Sequence, residues 1–247
     1  MANGNDIGQL KCPYQLMRDE LLKQDRDIVF NLCQYGMGDV WNWGGEVGHC
    51  WRTTGGLGLA GGGGPPGFYQ IGISNAAHWP QAKPGAWNDP DYLLIGWVGD
   101  AQGMGEGKPT SLTGNEQYAY MSMWSLMASP LIFSGDMAKL DAFTLIVLCN
   151  AEVIDINQDP LGKQARIIKQ DHRQFVLAKP LEDGSVALGL FNLSARPLRM
   201  EISLADLGLP ENCHLRDAWR QVNLPDAQAT VAAMVPCHGV ALLRLMP

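Results

Sequence analysis

The sequence changes its hydrophobic period once, at Arg166, and that change limits the folds open to it. Upstream, apolar residues recur at helical spacing in some segments and form short unbroken runs in others. Residues 14–24 set Leu16, Met17 and Leu21 on one helical face, and residues 27–33, DIVFNLC, read as a buried strand rich in β-branched and aromatic side chains. GMGDVWNWGGEVGH then has too much glycine for a helix interior, so it is a loop at a strand end. The pattern repeats with a short strand over 50–54, a glycine- and proline-rich loop over 55–67, a helix over 68–82 and a strand over 92–96. A polar loop over 100–110 follows. Thr113 with Glu116 forms a capping box ahead of a helix over 117–128, and Pro130 ends that helix before a strand over 131–134.

Strands that alternate with helices imply parallel strands, either in a closed barrel or in an open doubly wound sheet. About four such units precede Gln164, half of what an eight-stranded barrel needs. Beyond Arg166 the stretches QFVLAKPL, SVALGLFNLS, LRMEISL and GVALLRLM alternate with period two between turn signals at Asp183-Gly184, Pro210 and Pro225. The expectation is two domains: an α/β part over 1–165 and an antiparallel β-sandwich over 166–247.

Composition narrows the function classes. A net charge of −7 argues against nucleic acid and anionic membranes as partners and suits a neutral substrate. Hydrophobic residues make up 46% of the chain, enough for a core, yet no apolar run approaches the roughly 20 residues that span a bilayer. The polar start lacks the pattern of a signal peptide, and the compartment stays open. The cysteines at 12, 33, 50, 149, 213 and 237 form no close pair, and neither they nor the five histidines show metal-ligand spacing, so no metal or cofactor is expected. Most are read as buried thiols, with a Cys33–Cys50 disulfide left open.

Three motifs carry a resemblance. Trp51-Arg52-Thr53-Thr54, PGAWNDPDYLLIG over 84–96 and EVIDINQDPLGKQAR over 152–166 are similar, in order, to signatures of glycoside hydrolase family 27, the α-galactosidases and α-N-acetylgalactosaminidases. The resemblance implies the second half of a (β/α)8 TIM barrel followed by a small antiparallel β-sandwich, with Met1 falling after the fourth barrel strand. It further implies retaining hydrolysis of terminal α-linked galactose without metal or organic cofactor, on a galactoside-containing glycan. The nucleophilic aspartate of the family would then lie upstream of Met1. Relatives are often secreted, periplasmic or lysosomal, and a homodimer is left open.

Residue by residue, the family's acid/base aspartate stands four positions after the arginine of the WR motif, where this chain has Gly56. Glycine has no proton to give. Arg52 matches a sugar-contacting arginine and could instead be a solvent-facing one, whereas Trp51 reads equally as barrel packing. Gln34 and Tyr35, in the loop after the first strand, are large where relatives that accept N-acetylgalactosamine are small, which tilts the expectation toward galactose. Tyr92 matches a pocket-lining position, with core packing as the alternative. Asp89 and Asp91 support the site in the family, and Asn88-Asp89-Pro90-Asp91 reads locally as a tight turn. Asp39 and Glu46 are nearby loop carboxylates that could substitute as proton donors, though most such groups are only solvated. A non-catalytic carbohydrate-binding protein that kept the scaffold and lost both carboxylates is the competing reading.

Overall fold

The computed structural model describes residues 6–57, 65–98 and 107–247. Helix α1 spans Ile7–Leu21, and its start is set by Asp6, whose carboxylate accepts the Gln9 N–H at 3.2 Å. That cap begins the helix seven residues ahead of the expected 14–24. None of its residues is buried.

Strands β1 (Asn31–Leu32), β2 (Cys50–Arg52) and β3 (Trp87–Asp89) form a parallel sheet in that order. β1 is much shorter than the run 27–33, and Val29 is 77% exposed: among the described residues, hydrogen bonding along the run reaches back only to Phe30, whose carbonyl accepts the His49 N–H. The strand expected over 92–96 is instead β3, on the residues that read as a turn. Pro90 cannot donate to a ladder and Asp91 has φ 95°, so regular pairing stops there. What remains of the expected strands over 92–96 and 131–134 is one parallel bridge, Leu93 to Phe133, with the Leu93 N–H given to the Ile132 carbonyl.

Helix α2 covers Phe68–Ala76, not 68–82, since Pro80 lacks the donor a continuing helix needs, and Trp79–Gln81 forms a separate 3₁₀ turn. Trp97–Val98 (β4), ahead of the expected polar loop, pairs antiparallel with Lys108–Pro109 (β5) inside it; residues 99–106 lie outside the described residues, as do 58–64 of the glycine-rich loop. Helix α3, Gly114–Leu126, opens with the expected capping box: the Thr113 hydroxyl accepts the Glu116 N–H and the Glu116 carboxylate accepts the Thr113 N–H. Helices α4 (Ala142–Leu148) and α5 (Ala151–Asn157) are capped by Asp141 and Asn150.

From Arg166 the chain is all antiparallel strands: β6 (Arg166–Gln170), β7 (Gln174–Pro180), β8 (Val186–Asn192), β9 (Leu198–Ser203), β10 (Asn212–Asp217), β11 (Val222–Gln228), β12 (Thr230–Val235) and β13 (Val240–Met246). They make one eight-stranded sheet, β6-β7-β8-β13-β10-β11-β12-β9. β11 and β12 share a single registered pair, Gln228 with Thr230, around Ala229 at φ 58°, and there the sheet turns over on itself. Met200, Ile202, Val231 and Val235 thereby cover Val176, Leu188, Leu190 and Leu243. This is the sandwich that the period-two pattern predicts.

The alternate side chains of β7 and β8 face the other way. Phe175, Leu177 and Phe191 join Phe68, Tyr69, Tyr120 and Trp124 in a core that the sandwich shares with α2 and α3. α3 is therefore buried nearly all round, between two layers. Gly189 permits this approach, as a Cβ there would lie 2.5 Å from Leu126 Cδ1. Two polar contacts fasten the same junction: Arg216 grips Glu152 through Nε and Nη2 at 2.8 and 2.5 Å, and buried Lys179 Nζ donates to the Ile156 and Asn157 carbonyls at the end of α5.

Burial lowers the Lys179 pKa to about 8, against a smaller opposing pull from Asp159. Between pH 8 and the ordinary lysine value the unfolded chain holds more protons at this site than the folded one, so the Lys179 contribution to stability rises with pH, by on the order of 3 kcal/mol in full. Raised tyrosines and Cys50 pull the other way, so the quantity to measure is the difference between wild type and Lys179→Met. Urea unfolding of both from pH 7 to 10.5 should show that difference shifting in favour of wild type; parallel curves would show Lys179 not to be a buried cation.

Candidate functional site

Parallel strands put their C-terminal ends at one edge, and the residues that follow β1, β2 and β3 meet there. These are Gln34 and Tyr35 after β1, Gly55 and Gly56 after β2, and Asp91 and Tyr92 after β3. The sheet brings them together although the chain separates them by up to 58 residues.

Asp91 is the hub. Its Oδ2 pairs with Arg52 Nη2 at 2.8 Å and accepts the Leu57 N–H at 2.8 Å, while Oδ1 accepts the Tyr92 N–H at 2.9 Å. Its main-chain N–H goes to Asp89 Oδ1 at 2.8 Å, and its carbonyl accepts the Trp124 indole N–H at 2.7 Å. Asp89 Oδ2 accepts Asn31 Nδ2 at 2.6 Å. Both carboxyl groups are 2% exposed, so these donors supply the stabilisation that water cannot. Burial raises the Asp89 pKa, and Asn31, the Asp91 N–H and Arg52 oppose it. The Cys50 thiol beneath is pushed up to about 12 by burial and by the Asp89 charge.

Arg52 is not a solvent-facing arginine. Beyond Asp91, its Nη2 donates to the Gly55 carbonyl at 2.8 Å, and the guanidinium lies 5.4 Å from the Tyr35 ring centre. Tyr35 itself is 48% exposed with φ 56°, and the following Gly36 returns its N–H to the Arg52 carbonyl. A Cβ on Gly36 would lie 2.4 Å from the Thr53 carbonyl oxygen, so only glycine fits that turn. The Cys33 thiol beside Tyr35 raises its phenol pKa, with Arg52 opposing.

Gly56 is exposed and held from both sides, by the Arg52 contact to Gly55 and by the Leu57 N–H on Asp91. Among the described residues, a Cβ added at Gly56 meets nothing within 4 Å. Trp51, in contrast, is buried, packs against Gly44 and Gly45 and gives its indole N–H to Asn88, so its side chain is scaffold. Gln34 is buried, and its Nε2 finds no partner among the described residues. Tyr92 is half-buried and its carbonyl accepts the Tyr120 hydroxyl. Glu46 is paired with Lys11 of α1, and Asp39 sits exposed at the head of a 3₁₀ turn.

All six cysteines are free, including Cys33 and Cys50, and Cys12, Cys33 and Cys149 are exposed instead of buried as expected. Among the described residues no group of three His, Cys, Asp or Glu could hold a metal ion. Asn31 escaped the sequence reading, although a polar residue inside the expected strand 27–33 is a signal that could have marked it, and Asn88 was read only as part of a turn.

Comparison with known proteins gives this arrangement a class. The model for the "Alpha galactosidase A" family matches residues 72–159, and that for the "Alpha galactosidase C-terminal beta sandwich domain" matches residues 171–245. An α-galactosidase of Cyamopsis tetragonoloba is 31% identical over 248 residues, covering 99% of this chain and 56% of its own length, and α-galactosidase A of Cellvibrio japonicus is 32% identical, covering 96% and 60%. A family 27 β-L-arabinopyranosidase from Geobacillus stearothermophilus superimposes with a TM-score of 0.84 at 25% identity, covering 95% of this chain and 53% of that one. The fold is thus that of a glycoside hydrolase scaffold. The chain belongs to glycoside hydrolase family 27, to the C-terminal region of its α-galactosidase-type members, and it spans a little over half the length of the curated relatives it matches.

Removing the charge of Asp91 should loosen the whole edge. Asp91→Asn leaves Arg52 buried without a counter-charge and should cost about 3–5 kcal/mol in urea unfolding. Asp39→Asn, at an exposed position, should stay within about 0.5 kcal/mol of wild type. Equal effects of the two substitutions would show that the Asp91 network does not hold the edge together.

Proposed function

We propose that this chain forms the C-terminal part of a retaining α-galactosidase-type site that receives terminal α-linked galactose of a glycan. In this reading residues 1–165 are the second half of a (β/α)8 barrel and 166–247 a separate sandwich domain. Parallel strands with their chemistry at the C-terminal edge support it, since that is where barrel enzymes place their reacting groups. Tyr35 and Tyr92 border the sugar, and Arg52 orders the site by fixing Asp91 and the loop that carries Gly56. The bulk of Tyr35 favours a bare 2-hydroxyl over an acetamido group, and so galactose over N-acetylgalactosamine.

The observation that carries the mechanism is the fixed, open position of Gly56. A retaining glycosidase uses two carboxyl groups about 5–5.5 Å apart, one of which protonates the leaving oxygen and later activates water. Asp89 and Asp91 cannot take that part, because each is buried and bonded to donors on both oxygens. With glycine at 56 the leaving group departs without a proton, at a cost of typically 10²- to 10⁴-fold. The same fact favours the second reading, a galactoside-binding protein without turnover.

The full chain should leave nitrophenyl α-galactoside at the buffer rate. Joined to the N-terminal half of a close relative, it should cleave activated aryl galactosides in preference to natural ones, and azide should accelerate release of the glycosyl-enzyme. Gly56→Asp in that chimera should raise hydrolysis of natural galactosides by about 10²- to 10⁴-fold. If galactose binds but Gly56→Asp brings no gain, the binding-protein reading replaces the hydrolase.

A further inference from the structure

We propose that the chain carries a second carbohydrate site, selective for acidic pyranosides, in the cleft between the Trp79 turn and the first strands of the sandwich. The cleft has a volume of about 230 Å³. Trp79, 44% exposed, lines it together with Lys163, Arg166, Ala178, Val186 and Leu207.

The Trp79 turn and the segment 163–166 are fixed in relation to each other by one amide. Asn88 Nδ2 donates to the His78 carbonyl at 2.7 Å, holding the residue from which the Trp79 turn springs, and to Gln164 Oε1 at 2.9 Å, holding the segment between Lys163 and Arg166. Gln164 Nε2 in turn donates to the Asn75 carbonyl at the end of α2. Within the turn, the Ala82 N–H closes on the Trp79 carbonyl. A tryptophan on a surface so braced is a platform already in place, and little order has to be gained when a ligand arrives.

Chemistry names the ligand class. An indole face is complementary to the C–H face of a pyranose ring, which buries apolar area while the hydroxyls stay wet. Lys163 and Arg166 are exposed and enter no ion pair among the described residues, in a chain whose net charge is −7. Two cations left without carboxylates beside a ring platform suit a sugar that brings its own carboxylate, and Arg166 can take it bidentately. Asn88 alternates with Asp89 along β3, so the cleft lies on the opposite face of the strand from the site at Asp91. The site is thus separate from hydrolysis and holds even if the chain turns nothing over.

Native affinity electrophoresis of the full 247-residue chain tests this, in gels holding polygalacturonate, neutral galactan or polyglutamate. Polygalacturonate should retard the chain, and about tenfold more of it should be needed for Trp79→Ala, as for loss of a central aromatic contact. The Lys163→Gln/Arg166→Gln double variant, altered only at exposed positions, should lose the preference for polygalacturonate over galactan, with every mobility taken relative to that variant's own in a polymer-free gel. Absence of retardation by polygalacturonate, equal retardation by polyglutamate, or unchanged behaviour of Trp79→Ala would each overturn the proposal, the second by reducing it to unspecific charge.

Discussion

The strand-end region depends on one buried charge. Asp91 is unavailable to solvent, and a carboxylate in that position is tolerable only when donors surround it. The donors come from three places: the guanidinium of Arg52 at the end of β2, the Leu57 N–H beyond the glycine pair, and its own neighbour Tyr92. Satisfying the charge therefore fixes the course of residues 52–57. Because the anchors are Arg52, the Gly55 carbonyl and the Leu57 N–H, position 56 has no part in holding its own loop. A change of side chain there leaves those anchors as they are.

Behind that edge the support is hydrophobic and shared. Tyr120, Met123 and Trp124 of α3 are fully buried, and α3 packs at once against α2 and residues 93–95 and against the sandwich. Trp124 links the two levels directly, through its indole N–H on the Asp91 carbonyl. The sandwich is thus part of the scaffold of the strand ends, with Phe175 stacked on Phe191 beside Tyr69, and with Lys179 and Arg216 reaching across to α5.

β3 separates two environments by the period of a strand. Asp89 looks toward the carboxylate cluster, and Asn88 looks toward Trp51, the His78 carbonyl and Gln164. A single three-residue strand so organises both the strand-end edge and the cleft beneath Trp79.

Local signals were read correctly where the physics is local. The capping box at Thr113 joins residues three apart, and the period-two runs after Arg166 need only the pleat. Local reading failed at residues 87–96: Asn, Asp and Pro have turn propensities, yet Trp87–Asp89 pairs with β2 because burial against a neighbouring strand outweighs propensity. The role of Arg52 was equally hidden. The sequence by itself determined the order of elements, the change of architecture at Arg166 and the absence of a proton-bearing side chain at position 56. Only the tertiary structure decided that Asn31, Leu57, Asp91 and Trp124 meet, and that Arg52 turns inward to them, because those bonds join residues 33 to 58 positions apart and exist only once the strands are aligned and water is excluded.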